Sequence, residues 1–332
     1  MLSLRDVVGH EQVVKSLQSA LANNFVNHAY TFSGPTGLGK KSVGFAFARA
    51  LLCRCNQGDA CGECDDCNRS ERGLHPDLHI ISPEGNSIKI HQLRAVQESA
   101  SITAYGMGRQ VFLILQAEKM TLAAANCFLK TLEEPPAGVV FILITDEPAG
   151  MLPTVLSRCQ QYRFSRLSRE KVLRVLANKG SGAYYSVESA QVAAELSEGC
   201  PGRALAMLED PNKRISRIEL LMRIVRGRPG SAFLPVDKLT EREDLGEFIN
   251  SVILIFRDVL IWQLTGSAEL LINVDRHSDI IELAGTYVKP EVMDILITAE
   301  KSSDYLASNV NQRLVLDSLL FKITGQWDDD RG

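Results

Sequence analysis

A doubly wound α/β domain followed by helices is the fold this sequence predicts, and three observations predict it. Residues 28–33 read as a buried strand that runs into Gly34-Pro35-Thr36-Gly37-Leu38-Gly39-Lys40, and an Ala- and Phe-rich helix follows over 42–52. Strand, GxxxxGK and helix in that order form a phosphate-binding loop with its usual flanks. Two continuous apolar runs, 110–115 and 139–145, are bounded by polar residues and suit central strands of a parallel sheet covered on both faces. Strand signals stop after Phe164, and from about residue 213 onward helical periodicity alone remains.

The remaining elements follow from local pattern. Val13, Val14, Leu17 and Leu21 put a helical stripe on 11–23. A short strand is expected over 77–82 and a helix over 88–102. The helix over 122–134 is stopped by Pro135-Pro136. Residues 168–180 and 186–198 read as helices, and Gly199-Cys200-Pro201-Gly202 separates them from a short helix over 203–208. Asp210-Pro211-Asn212 reads as a linker, and the strongest later helices are 242–265, 290–308 and 311–324. Three domains result: 1–165, with a cysteine-rich module at about 53–67, a small helical domain over 166–210, and an all-helical domain over 211–332.

A chain of 332 residues has room for these separate cores. Its net charge of −4 excludes a global basic field, so nucleic acid is not expected to be held by this chain alone. The start, Met1 to Asp6, lacks the charged-then-apolar pattern of a secretion signal. The most apolar stretch, Val252 to Leu264, is broken by Arg257-Asp258 and falls short of the ~20 residues that span a bilayer. A cytoplasmic protein without membrane contact is expected.

Gly34, Gly37 and Gly39 let backbone N–H groups turn inward around phosphate, the helix N-terminus adds its positive dipole end, and Lys40 reaches the outer phosphates. Hydrolysis also needs Mg²⁺, held by a hydroxyl after the lysine and a carboxylate after the next core strand. The position after the lysine is Lys41, which as a cation cannot ligate a metal, and the strand 110–115 ends in Leu115-Gln116 without a carboxylate. Glu118 lies beyond the strand end and reads as a solvated residue at a helix start. Ser42 is no substitute ligand, because one residue along a helix rotates the side chain by ~100°. No ATPase activity is expected, and binding of ATP or ADP stays open.

Eight cysteines are present, five of them between Cys53 and Cys67. Cys61-Gly62-Glu63-Cys64-Asp65-Asp66-Cys67 contains two overlapping C-x₂-C steps, the spacing that fixes pairs of ligands in a tetrahedral zinc site. Cys53, Cys61, Cys64 and Cys67 are assigned as ligands of a structural zinc, with Cys55 as the alternative first ligand. A set of free thiols is the competing reading. Cys127 and Cys200 read as small buried apolar residues.

Together these motifs resemble one family. The phosphate loop, the cysteine insert after its helix, Leu129-Lys130-Thr131-Leu132-Glu133-Glu134-Pro135-Pro136, and Ser157-Arg158-Cys159 occur in this order in bacterial DNA polymerase III clamp-loader subunits, which are AAA+ proteins. The segment from Asn309-Val310-Asn311-Gln312-Arg313-Leu314 to Leu320 is similar to the family's C-terminal collar helices. Lys41, Leu115 and Gln116 set the chain apart from the ATP-hydrolysing gamma/tau subunits and match the delta-prime subunits, whose nucleotide sites are often decayed. The resemblance implies an AAA+ domain, a lid domain and a collar domain for oligomerisation. It makes Arg158 an arginine finger acting in trans on a neighbour's ATP, places Thr145 at a sensor position, and matches Arg203, in Pro201-Gly202-Arg203-Ala204-Leu205, to the second sensor.

The implied role is that of a non-catalytic stator in a ring with gamma/tau ATPase and clamp-opening delta subunits, which loads the sliding clamp onto primed DNA. Two rivals stand beside it. One is an active gamma/tau-like ATPase with a variant metal site. The other is a zinc-dependent nucleic-acid-binding module, against which Asp59, Glu63, Asp65 and Asp66 around the cysteines would repel phosphate.

Overall fold

The computed structural model describes residues 3–55, 58–102, 104–105, 108–179, 185, 187–227, 242–307 and 310–325. They fall into two compact units, one drawn from Met1–Tyr184 and Ser197–Ala204, the other from Tyr185–Leu196 and Leu205–Gly332.

The first unit alternates α1 (Glu11–Ala22), β1 (Ala29–Ser33), α2 (Lys40–Leu52), α3 (Asp65–Glu71), β2 (Leu78–Ile81), α4 (Ile90–Ala100), β3 (Gln110–Ile114), α5 (Leu122–Glu133), β4 (Val139–Thr145), α6 (Pro153–Leu156), β5 (Gln160–Arg163) and α7 (Arg169–Lys179). The sheet order is β2-β3-β4-β1-β5, and every pairing is parallel. Alternation along the central strands divides the core between the two faces, because successive side chains leave a strand on opposite sides. Val140, Ile142 and Ile144 of β4 join Phe47 and Leu51 of α2 and Leu17 of α1. Val139, Phe141 and Leu143 join Phe128 of α5 and Leu93 of α4. Burial on both faces explains why these strands read as unbroken apolar runs.

The second unit contains α8 (Val187–Leu196), α10 (Pro211–Arg226), α11 (Arg242–Thr265), α12 (His277–Thr286), α13 (Lys289–Ala307) and α14 (Gln312–Thr324), while α9 (Pro201–Glu209) begins in the first unit. Phe248, Val252 and Phe256 of α11 pack with Leu221 of α10, Ile295 and Ala299 of α13 and Leu319 of α14. Asp258, which breaks the apolar run of α11, is fully buried. Its carboxylate accepts from the backbone N–H groups of Ile272 and Asn273 and from the Asn273 side chain, at 2.7–3.1 Å.

Two stretches differ from the sequence expectation. Asp210-Pro211-Asn212 is no linker: the Asp210 side chain caps α10 by accepting from the Lys213 N–H at 3.3 Å, and Pro211 occupies the first turn. A proline there costs no hydrogen bond, since that N–H has no helical partner. Pro201-Gly202 likewise opens α9 rather than preceding it. The region 166–210 divides between the units, with α7 and 197–204 in the first and 185–196 and 205–210 in the second. Asn309, the start of the collar-like motif, lies outside the described residues. Among the described residues, no helix is long and apolar enough to cross a membrane.

Candidate phosphate loop, arginine loop and metal centre

The phosphate loop follows β1 directly, and its glycines are required by geometry. Gly34 and Gly37 have φ of 141° and 84°, values that L side chains rarely adopt. A Cβ on Gly34 would also lie 2.3 Å from the Phe164 carbonyl oxygen. Lys40, the first residue of α2, is buried. Its ammonium donates to the carbonyls of Gly34 and, at 2.7 Å, Pro35, and pairs with the Asp146 carboxylate at 2.8 Å. The other Asp146 oxygen accepts from the Thr36 hydroxyl at 2.8 Å.

The expected metal-side ligands are absent from their usual positions. Lys41 is exposed, with its ammonium 6.0 Å from the centre of the Phe45 ring. After β3, Leu115 packs against the core and Gln116 is exposed in a left-handed conformation at φ 51°. Glu118 departs from the solvated residue expected. It is half-buried, and its Oε2 has no hydrogen-bond partner among the described residues. The 3-10 turn Ala117–Lys119 holds it against Gly150, where a Cβ would meet that of Glu118 at 3.3 Å.

Thr145 closes β4 and is fully buried, with its hydroxyl accepting from the Glu147 N–H at 3.2 Å. Arg203 lies in the first turn of α9, which presses on the loop apex: the Gly202 N–H donates to the Gly37 carbonyl at 2.8 Å. The Arg203 guanidinium is 3.8 Å from Glu198, which Arg166 also pairs at 2.9 Å.

Arg158 follows the short helix α6. One of its terminal nitrogens donates to the Thr154 carbonyl at 2.9 Å and the other to Glu133 at 2.5 Å. The guanidinium is thus tethered at two points on the surface of its own unit, by the C-terminal residue of α5 and the first turn of α6.

The cysteine module joins the C-terminus of α2 to α3. Cys53 ends α2 and Cys64 caps α3, accepting from the Cys67 N–H at 3.4 Å. The sulfurs of Cys53, Cys61, Cys64 and Cys67 all lie within 4.8 Å of one another. Cys53 and Cys64 are 4.0 Å apart, and Cys61 and Cys67 are 3.9 Å apart. A tetrahedral site with Zn–S bonds of ~2.3 Å sets sulfurs about 3.8 Å apart, so the donor set fits zinc. Backbone N–H groups of Cys61 and Cys64 point at the Cys53 and Cys61 sulfurs, each at 3.4 Å. Such bonds from Glu63 and Cys64 draw the Cys61 thiol down to about 6, toward the thiolate, while burial pushes the Cys67 thiol up. Cys55 is exposed and lies beside Cys61, but it is not among the four mutually close sulfurs.

Sequence reasoning missed the residues that brace this module. Asp59 is buried and accepts from the N–H groups of Leu4 and Arg5 at 3.1 and 3.0 Å. Asp66 is buried between Arg54, at 2.6 Å, and His75, at 3.5 Å. Two of the four carboxylates expected to repel nucleic acid are therefore turned inward and paired. The missed signal is weak, because an acid beside cysteines looks the same in sequence whether it faces water or the core.

Residues 9–168 match the family model described as DNA polymerase III, delta subunit. The DNA polymerase III subunit delta' of Escherichia coli (strain K12) is 30% identical over 327 residues, covering 94% of this chain and 92% of that protein. The subunit delta' of Bacillus subtilis (strain 168) is 29% identical over 319 residues, covering 94% and 95%. The Bacillus subtilis subunit tau is 33% identical over 207 residues, but these span 61% of this chain and 37% of tau. The likeness to delta' thus runs almost end to end where that to tau is partial, and the chain belongs to the delta-prime family of DNA polymerase III clamp-loader subunits.

Proposed function

We propose that this chain is the non-hydrolysing member of a clamp-loader ring. In this reading it joins gamma/tau ATPase and delta subunits through its helical C-terminal part, supports ATP-dependent loading of the sliding clamp onto primed DNA, and supplies Arg158 to a neighbour's ATP. The division into an AAA+ part over 1–165, a lid over 166–210 and a collar over 211–332 belongs to the same proposal, with Thr145 and Arg203 as sensor positions inherited from a working site. The module at 53–67 holds one structural zinc through Cys53, Cys61, Cys64 and Cys67. Four protein ligands leave no open coordination position, so the metal would act as a cross-link and not as a catalyst.

The observation that carries the reading is the pairing of opposites within one domain. The positions that would hold Mg²⁺ are filled by Lys41, Leu115 and Gln116, while Arg158 is retained on a surface loop after α6. An arginine finger needs no nucleotide in its own chain. It needs a planar, permanently charged group that reaches across a boundary.

The test is steady-state, clamp- and DNA-stimulated ATPase of reconstituted rings. The chain alone should show no Mg²⁺-dependent turnover, and turnover abolished by Lys40→Ala would favour the active-ATPase rival. Arg158→Ala should leave assembly intact and lower the ring's turnover, by up to ~10³-fold at the one site it serves. Arg158→Lys should not rescue, since a point charge lacks the fork. Equal rates at equal assembly would remove Arg158 from the mechanism.

A further inference from the structure

The phosphate loop retains Lys40 and Thr36, and the polar ends of both side chains are engaged within the chain. We infer that the loop carries a ligand of its own chain: the Asp146 carboxylate occupies the anion cradle between Lys40 and Thr36, in place of a phosphate group. The sheet register brings it there. Ser33, the last residue of β1, is paired with Thr145, the last of β4, so Asp146 leaves the sheet beside the start of the loop at Gly34.

Every donor of the lysine is then accounted for. An ammonium has three donors, and Lys40 has three acceptors: the Gly34 carbonyl, the Pro35 carbonyl at 2.7 Å and Asp146 at 2.8 Å. Asp146 uses its second oxygen on the Thr36 hydroxyl at 2.8 Å, which ties the apex side of the loop to the end of β4. From the opposite side, Gly202 donates to the Gly37 carbonyl at 2.8 Å, and a Cβ at Gly202 would approach the Gly37 Cα to 2.8 Å. A polyphosphate entering the loop must displace an acceptor from a buried lysine and then sit beside the displaced carboxylate, a like charge at close range. The bridge therefore closes the loop to nucleotide and staples β1 to β4 without one. It is internal to this chain and does not depend on a place in a ring.

The experiment uses the full chain with MgATP, MgADP and inorganic pyrophosphate as probes, read by calorimetry and thermal melting. Wild type should show no binding heat and no shift in melting temperature at millimolar probe. Asp146→Asn, which keeps an acceptor for Thr36 but removes the charge, should bind pyrophosphate at least about tenfold more tightly than wild type. Lys40→Met should lower the melting temperature in the absence of any nucleotide, and Lys40→Met combined with Asp146→Asn should lower it by less than the sum of the two, as for groups in direct contact. Tight MgATP binding by wild type, no gain in Asp146→Asn, or additive losses in the double variant would each overturn the inference. The wild-type binding measurement stands even where a variant does not fold.

Discussion

The phosphate loop and the cysteine module sit at opposite ends of the same helix, α2, and they gather charge in opposite ways. At the N-terminal end, a cation meets an anion of the same chain, Lys40 against Asp146. At the C-terminal end, four sulfurs converge on one another, with the Cys61 thiol shifted toward its anionic form. A cluster of like groups is stable when a cation sits among them, whereas an internal ion pair is complete. The lesson is that a motif's spacing tells where charge is gathered, and the balance of the gathered groups tells whether a ligand is still needed.

The comparison is broken most forcefully at the sulfur end. Removal of metal by a strong chelator, or Cys64→Ser, should destabilise the first unit by an amount on the order of 4 kcal/mol, the scale of a lost structural metal. Metal analysis of protein purified without chelator should find about one zinc per chain. Cys53→Ser should lose it and Cys55→Ser should keep it, because Cys55 is exposed and touches Cys61 without joining the four mutually close sulfurs. Equal metal content in both variants would undo the ligand assignment.

A scale for internally satisfied carboxylates comes from the second unit. Asp258→Ala strands four donors, the Arg257 guanidinium among them, around a fully buried position. Urea denaturation should show a loss of about 3 kcal/mol, the sum of unpaired buried donors less relaxation. The Lys40–Asp146 bridge is partly open to solvent, so its own loss should be smaller, about 1–2 kcal/mol. A larger loss for Lys40→Met than for Asp258→Ala would mean that the loop does more for the fold than hold one carboxylate.

The smallest effect is expected from His10, whose ring nitrogen faces the Leu38 carbonyl of the loop at 3.2 Å. Burial holds its pKa below the ordinary 6.5, so the folded state favours the neutral ring. The unfolded chain then binds the extra proton first, and this stabilisation, present above about pH 6.5, is lost as pH falls through the folded value. Between about pH 7 and about pH 5, wild type should lose more melting temperature than His10→Asn, since asparagine tolerates the left-handed backbone at this position. Parallel curves would take His10 out of the account.

Much of the fold was legible because burial on both sheet faces writes itself as apolar runs. β3 and β4 fall inside 110–115 and 139–145, and α11 covers 242–265. β5 was not legible: Gln160-Gln161-Tyr162-Arg163 is an edge strand with mostly exposed side chains and no apolar signature. α3 was missed for a related reason. It has seven residues, too few for a periodic stripe, and is capped by a cysteine sulfur. In the candidate sites, short-range spacing showed the glycines, Lys40 and the cysteines. The residues that decide their chemistry are distant in sequence: Asp146 lies 110 residues from Thr36, and Glu133 lies 25 from Arg158. Such pairs are created by sheet register and helix packing, which no local pattern encodes.

Asp59 ties the segment ahead of α1 to the cysteine module, and so couples two parts of the chain that are far apart in sequence. The N–H groups of Leu4 and Arg5 find their acceptor 55 and 54 residues downstream. Those two donors thus have their acceptor only once the distant segment has folded against them. Unfolding of the module would leave these two backbone donors without their acceptor, so damage at the cysteines would be felt in the segment that precedes α1.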